Sequence, residues 1–259
     1  VWLAQAGALG EARKRGARLI VIDPQRTSLA RDADLWLRVR PGTDAALALG
    51  LAHLLLEDGG IDEDFVRSWT NAPFLVRSDD GRFLRQGDLP MVFDTATRRA
   101  LPYDAARPAG GHAPADLALT GAFTVDGVAC RPAFALLREQ CAAWMPARVA
   151  ETTGVPEDRL RAAAGILRET RGAIGYHGWS GIGQHANATQ TERAVAVLYA
   201  LTGSFDSPGG NHVLNRQPIN KVADYDALVP PERRVKAMGL DRRHVGPPFF
   251  NDTATTEIY

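Results

Sequence analysis

The sequence predicts an α/β chain built on a parallel sheet with helices on both faces. Three observations predict it. Short β-branched or apolar runs at 18–23 (RLIVID), 35–39 (LWLRV) and 172–176 read as buried strands. Helical patterns lie beside them at 2–15, 45–57, 157–168 and 192–201. Strand and helix alternate, and alternation with short joints favours parallel strands covered on both sides.

Residues 2–15 suit a helix. Trp2, Ala6, Leu9 and Arg13 share a face, and Gly16 is a fitting stop. A helix followed after two or three residues by a strand is half of a βαβ unit. Asp23 closes the first strand and is followed by Pro24. A carboxylate at a strand tip accepts two hydrogen bonds at once, which suits ribose hydroxyls. It equally suits a turn with Pro24, and both roles stand open. The strand at 35–39 leads through Arg40-Pro41-Gly42-Thr43-Asp44 into the helix at 45–57. Thr43 or Asp44 can cap that helix. Alternatively the Asp44 carboxylate is left to take the N1–H and N2–H₂ donors of a guanine. His53 reads as a helix-face residue, and a further helix is expected at 63–69.

Residues 72–131 change character. Strand-like pieces at 74–77, 91–93 and 122–125 alternate with turns at 79–81 and 126–127. Residues 104–116, rich in Ala, Pro and Gly, read as a surface loop. The block reads as a β-rich insertion with no catalytic constellation. Helical pattern resumes at 132–143, 146–152 and 157–168. Beyond the strand at 172–176 comes the stretch with the densest chemistry. Gly178, Gly181 and Gly183 form a Gly-rich turn, 185–190 is a polar corner, and the apolar helix at 192–201 ends at Gly203. That layout aims backbone N–H groups, and about half a positive charge, at an anion. It also serves as a plain tight turn between strand and helix. His177 and His185 are acid–base candidates because histidine titrates near neutral pH. A hydrogen-bonded loop histidine is the alternative for each. Residues 221–250 give a weak helical signal with many Pro and Arg.

Composition narrows the function classes. The 259 residues carry 30 basic and 30 acidic side chains, so no electrostatic case for nucleic acid or an anionic membrane arises. Hydrophobic content of 45% with 23% charged residues is that of ordinary globular chains. Cys130 and Cys141 are too few for a disulfide framework or a metal knuckle, and packing is the expected role. No apolar run approaches the roughly 20 residues that span a bilayer, so no direct membrane span is expected. Residues 251–259 lack periodicity, look like a translated sequencing adapter, and are excluded from fold reasoning.

Four stretches then occur in one order: VIDPQRT at 21–27, RPGTDAAL at 40–47, GIGQH at 181–185 and LTGSFDSPGGN at 201–211. Together they resemble the molybdopterin oxidoreductases of the dimethyl-sulfoxide-reductase and formate-dehydrogenase superfamily, over residues 1 to about 220. Gln25 departs from the basic residue usual in the first stretch. The resemblance implies a bis-molybdopterin guanine dinucleotide cofactor holding molybdenum or tungsten. It implies that Asp23 and Thr27 contact one guanosine, with Gly42 and Asp44 near the same guanine. It implies that Gly181, Gly183, Gln184 and His185, with Asn215 and Gln217, contact the other pterin or its pyrophosphate.

The resemblance also implies a Rossmann-like domain made of 1–71 and 132–178. The β-rich insertion 72–131 interrupts it, and 179–250 belongs to a second cofactor-binding domain. The chain is expected to be an internal fragment of a large catalytic polypeptide. The family's 4Fe-4S motif and the metal's protein ligand are expected upstream of Val1, so the fragment is expected to be inactive alone and no catalytic residue is assigned. An iron–sulfur electron-transfer subunit, a small-molecule substrate and either a cytoplasmic or a periplasmic home fit the family. Two other readings stand beside it. One is a nicotinamide-dependent dehydrogenase, against which the spacing Gly178-x-x-Gly181-x-Gly183 speaks. The other is a non-catalytic nucleotide-binding module.

Overall fold

The computed structural model describes residues 2–106, 116–178, 180–212 and 230. The chain opens with α1 (Trp2–Lys14), which stops at Gly16 in the left-handed region, φ +97°. Leu9 and Arg13 are half-buried, but Ala6 is exposed, so the predicted face is only partly covered. β1 (Ile20–Ile22), α2 (Ser28–Asp32) and β2 (Leu35–Leu37) follow. β1 and β2 pair in parallel with Val21 opposite Trp36.

Next come α3 (Asp44–Glu57) and α4 (Glu63–Trp69). α3 is the axis of the fold. Its Leu and Ala residues cover every face, and a helix apolar all round must be buried. Leu47, Leu51 and Leu55 pack on Leu35 and Leu37 of the sheet and on Val149 and Leu160. The opposite side, Ala48, Ala52 and Leu56, packs on Val66, Phe134, Val195 and Leu201. Each fully buried leucine contributes about 1.5–3 kcal/mol of transfer free energy. Gly50 allows the closest approach, since a Cβ there would stand 2.5 Å from Val149 Cγ2.

The β-rich stretch holds β3 (Leu75–Arg77), β4 (Arg85–Gln86), β5 (Leu89–Asp94), β6 (Arg99–Pro102), α5 (Tyr103–Ala106), β7 (Phe123–Val125) and β8 (Val128–Pro132). They form two antiparallel sheets, ordered β3-β8-β7 and β4-β5-β6. Phe93 of one sheet stacks on Phe123 of the other, with ring centroids 3.9 Å apart. The three predicted strands are present, and β4, β6 and β8 are additional. Cys130 and Cys141 are free and buried.

The remaining elements are α6 (Ala133–Ala142), α7 (Pro146–Thr153), α8 (Glu157–Glu169), α9 (Ser180–Gly183) and α10 (Ala188–Thr202). Pro146 starts α7 and Gly154, in the left-handed conformation, ends it.

Two expectations are corrected. Residues 172–176 join no ladder, with Gly172 in a turn at φ +78° and 173–176 irregular, so the parallel sheet has two strands among the described residues. Side chains from 204–211 supply the bonds a neighbouring strand would make. The Ile174 N–H donates to Ser204 Oγ, the Tyr176 N–H donates to Asn211 Oδ1, and Asn211 Nδ2 donates to the Ile174 carbonyl. Second, α10 begins at Ala188 and not at 192. Its first turn is mostly polar, with Thr189 exposed, Ala188 and Gln190 half-buried and Thr191 the buried residue, so no apolar periodicity marks it. The sequence-based readings of 107–115, 213–229 and 231–259 fall outside the described residues.

Candidate functional site

The first predicted site residues sit at the C-terminal tips of β1 and β2. The Asp23 N–H donates to the Leu37 carbonyl at 3.2 Å, continuing the strand pair. Asp23 Oδ1 accepts the Gln25 N–H at 2.7 Å, the side-chain turn that Asp favours before a bend. The Trp36 indole N–H donates to the Asp23 carbonyl at 2.9 Å. Thr27 is the N-cap of α2, and its hydroxyl accepts the Ala30 N–H at 3.2 Å. The side-chain oxygen of Thr27 and one oxygen of Asp23 are thus used by local structure.

The second group sits where β2 hands over to α3. Arg40 anchors the turn to α7: its N–H donates to the Thr153 carbonyl at 2.8 Å and its guanidinium to the Thr152 carbonyl at 2.7 Å. The Thr43 N–H donates to the Arg40 carbonyl, and Gly42 has φ +82°. Pro41 then Gly42 is the residue pair a type II turn requires. Thr43 takes the N-cap position without a side-chain cap bond, because its hydroxyl donates to the Arg40 carbonyl at 2.7 Å. Asp44 is the first helical residue and is not the cap. Of the two sequence-based roles, capping is therefore excluded. The Asp44 carboxyl is half-buried, and that burial raises its pKa above the ordinary value. Its own backbone N–H and the nearby His185 oppose the rise.

The third group is the corner where α9 and α10 meet the N-terminal end of α3. The short helical piece α9 is followed by a turn at 184–187. Added Cβ atoms at Gly181 and Gly183 would meet nothing within 4 Å, so the backbone there is open to close approach. Gln184 and His185 are exposed. Gly178 differs: a Cβ there would stand 2.1 Å from Tyr176 Oη. The Tyr176 ring lies beside Tyr199 of α10, with centroids 5.9 Å apart at 49°. Both phenol oxygens are buried without a hydrogen-bond partner among the described residues. Burial, then the charges of Glu192 and Asp44, push the Tyr176 phenol up to about 12. Burial, Tyr176 and Glu192 raise Tyr199 as well.

The charge of Asp44 thus reaches Tyr176 and that of His185 reaches Asp44, while Glu192 acts on both Tyr176 and Tyr199. The topology sets Asp23 and Thr27 at the same edge of the sheet, with hydrogen bonds that stay local. Asn215 and Gln217 lie outside the described residues. Sequence reasoning missed the two tyrosines as site residues. The signal available was a glycine two positions after Tyr176, which leaves room for a ring folded back on its own chain. His177 is exposed, and His53 is half-buried on α3.

Chemistry elsewhere is sparse. Among the described residues no group of three His, Cys, Asp or Glu side chains could hold a metal ion. No described helix is long and apolar enough to cross a membrane. Two surface clefts lie away from this corner, one beside Arg13 and Arg18, the other at the far end of α3 beside Arg67 and Arg138. Their arginines are engaged: Arg13 with Asp34, Arg18 with Glu169, Arg67 with Glu63, and Arg138 with Glu57.

Comparison with known proteins gives a consistent result. A family model described as "Molybdopterin oxidoreductase" matches residues 3–253. The chain is 33% identical over 257 residues to a sulfite dehydrogenase subunit of Allochromatium vinosum, covering 86% of this chain and 26% of that protein. It is 32% identical over 205 residues to dimethyl sulfoxide reductase DmsA of Escherichia coli, covering 78% and 20%. Among solved structures it is similar to acetylene hydratase from Pelobacter acetylenicus, with TM-score 0.53 and 25% identity over 80% of this chain and 20% of that one. The chain therefore spans about a quarter or less of the length of these relatives, 26% and 20% for the two curated ones.

Proposed function

The chain belongs to the molybdopterin oxidoreductase family, and on that premise we propose that it is part of a catalytic subunit that binds bis-molybdopterin guanine dinucleotide at the corner of α3 and α10. The family implies a molybdopterin-type cofactor with molybdenum or tungsten and oxidoreductase chemistry. One observation carries the finer reading. A half-buried acid that is not the N-cap of its helix, Asp44, lies near His185 of a glycine turn whose backbone is open.

The residues present suit such a group. Asp44 offers paired acceptor oxygens, the match for the N1–H and N2–H₂ donors of guanine. Gly42, Gly181 and Gly183 leave backbone uncovered for a pyrophosphate or pterin edge. Gln184 and His185 add exposed polar side chains beside it. The second Asp23 oxygen and the Thr27 hydroxyl hydrogen suit ribose hydroxyls. Asn215 and Gln217 complete the set by resemblance alone. When bound, the metal–pterin group supplies two-electron redox or oxygen-atom transfer. The residues of this chain bind and orient it.

The same reading divides the chain into a Rossmann-like part (1–71 and 132–178), an insertion (72–131) and part of a second cofactor domain (179–250). It places a 4Fe-4S cluster and the metal's protein ligand on other segments of the whole protein, which acts on a small molecule and passes electrons to an iron–sulfur subunit. Metal and guanine analysis of the purified full-length protein tests this. The expected result is two guanines per molybdenum or tungsten. Bound nicotinamide with no metal would overturn it.

A further inference from the structure

The stretch at 201–211 is one of the four motifs of the sequence, yet the proposed site uses none of its side chains. It folds back beside 172–176 and holds that segment at several points. The Gly172 N–H donates to the Thr202 carbonyl at 2.8 Å, and Ser207 Oγ donates to the Gly172 carbonyl at 2.5 Å. The Ile174 N–H donates to Ser204 Oγ at 3.3 Å. Asn211 closes the set: its Oδ1 accepts the Tyr176 N–H and its Nδ2 donates to the Ile174 carbonyl, both at 3.1 Å. A parallel neighbouring strand would bond those two groups through its own backbone. Here one side-chain amide does so.

The amide is itself fixed. The Asn211 N–H donates to the Ser204 carbonyl at 3.0 Å, and its carbonyl accepts the Asp206 N–H at 2.6 Å. Ser204 is fully buried. The loop is also tightly packed, since a Cβ at Gly210 would stand 2.6 Å from the Ser204 carbonyl oxygen. Nδ2 reaches the Ser204 carbonyl as well, at 3.4 Å, so both of its hydrogens are used within the fold.

We infer that Asn211 is a positioning residue: its side-chain amide fixes the backbone at 174 and 176, and through it the glycine turn that follows. The inference rests on the reading that this turn borders the cofactor. Tyr176 stands two residues before Gly178 and five before Gly181. Glycines give the turn little stiffness of its own, so its place is set by the segments at its two ends. Downstream that segment is α10, packed on α3. Upstream it is 172–176, which no ladder holds and which Ser204, Ser207 and Asn211 do.

Asn211→Asp tests this, because it keeps the shape of the side chain and makes its donor depend on pH. A protonated carboxyl can accept from Tyr176 and donate to the Ile174 carbonyl. A carboxylate only accepts, and sets an oxygen against that carbonyl. Full-length protein purified with its cofactor is incubated from about pH 4 to about pH 8, across which such a carboxyl ionises. Guanine retained per chain is read as a ratio to wild type at the same pH. Asp206, His212 and Tyr176 are the titratable residues beside position 211, and wild type shares them. The ratio is expected near one at the acid end and at least threefold lower at the alkaline end, with the cofactor-free variant still folded in thermal melts at every pH. Asn211→Leu, which lacks both halves of the amide, is expected to be at least threefold low throughout. A flat ratio for Asn211→Asp overturns the inference, as does wild-type guanine in Asn211→Leu or a fold lost together with the guanine. Wild-type protein that holds no guanine refutes the cofactor reading, and the inference falls with it.

Discussion

The tip of the β1–β2 pair and the corner of α3 and α10 carry similar residues but use them differently. At the tip, Asp23 closes a turn onto Gln25 and Thr27 caps α2. At the corner, the half-buried Asp44 carboxyl is met by its own backbone N–H, two buried phenols lack partners among the described residues, and two glycines face open space. Polar groups that local structure consumes are explained by folding. Polar groups that it leaves over, in a buried setting where each costs about 1–3 kcal/mol, point to something else that uses them. The corner is therefore the better candidate for the binding centre, and the tip for a supporting edge.

The sharpest way to break that contrast is Asp44→Ala in the full-length protein. Guanine content is expected to fall about tenfold, equivalent to about 1.4 kcal/mol of binding. The cofactor-free stability should change by less than the roughly 1 kcal/mol of a lost cap. Reversed magnitudes in nucleotide analysis and thermal melts would erase the distinction. A second comparison lies within the glycine turn. Gly178→Ala drives a methyl against Tyr176 Oη, and overpacking of this kind costs about 1–3 kcal/mol. Gly181→Ala meets nothing and should be nearly silent in stability. Denaturant midpoints for the two variants should differ accordingly.

Smaller effects sharpen the other side. Thr27→Ala removes the α2 cap and should cost about 1 kcal/mol, with Thr27→Ser restoring it. Guanine content should change less than for Asp44→Ala. The smallest effect is in pH. Asp44 is raised in the folded chain, so folding favours its protonated form. The folded state then binds more protons than the unfolded state between the ordinary value of 3.8 and the raised one. Stability from this group is present below that window and lost as pH rises through it. Asp44→Asn should flatten that limb of the stability–pH curve, and an unchanged slope would assign the limb to other acids.

Much of the frame was legible in the sequence because it rests on periodicity. The all-apolar run of α3, the alternating pieces of the insertion and the amphipathic α8 each carry their own signal. Tertiary hydrogen bonding is not periodic, and there the reading failed. Residues 172–176 have a strand's composition, but Asn211 and Ser204 satisfy their backbone in place of a neighbouring strand. The start of α10 was hidden because its first turn is mostly polar and the residue it buries is a threonine. In the site, Asp44 and the glycine turn were visible from residue type and order. The choice between cap and ligand for Asp44 needed the hydroxyl of Thr43, which turns to Arg40 and not to the helix. Tyr199 was invisible because the surroundings of a hydroxyl are not encoded in spacing, and for Tyr176 the glycine at 178 was the signal in the sequence.

The central claim is that the acid at the start of α3 holds a guanine. A structure of the full-length protein purified with its cofactor tests it most directly. The account predicts guanine N1 and N2 within about 3.2 Å of the Asp44 carboxylate oxygens, with the 181–185 turn bordering the same nucleotide-bearing cofactor. A guanine bound elsewhere, with Asp44 facing only His185, would contradict it.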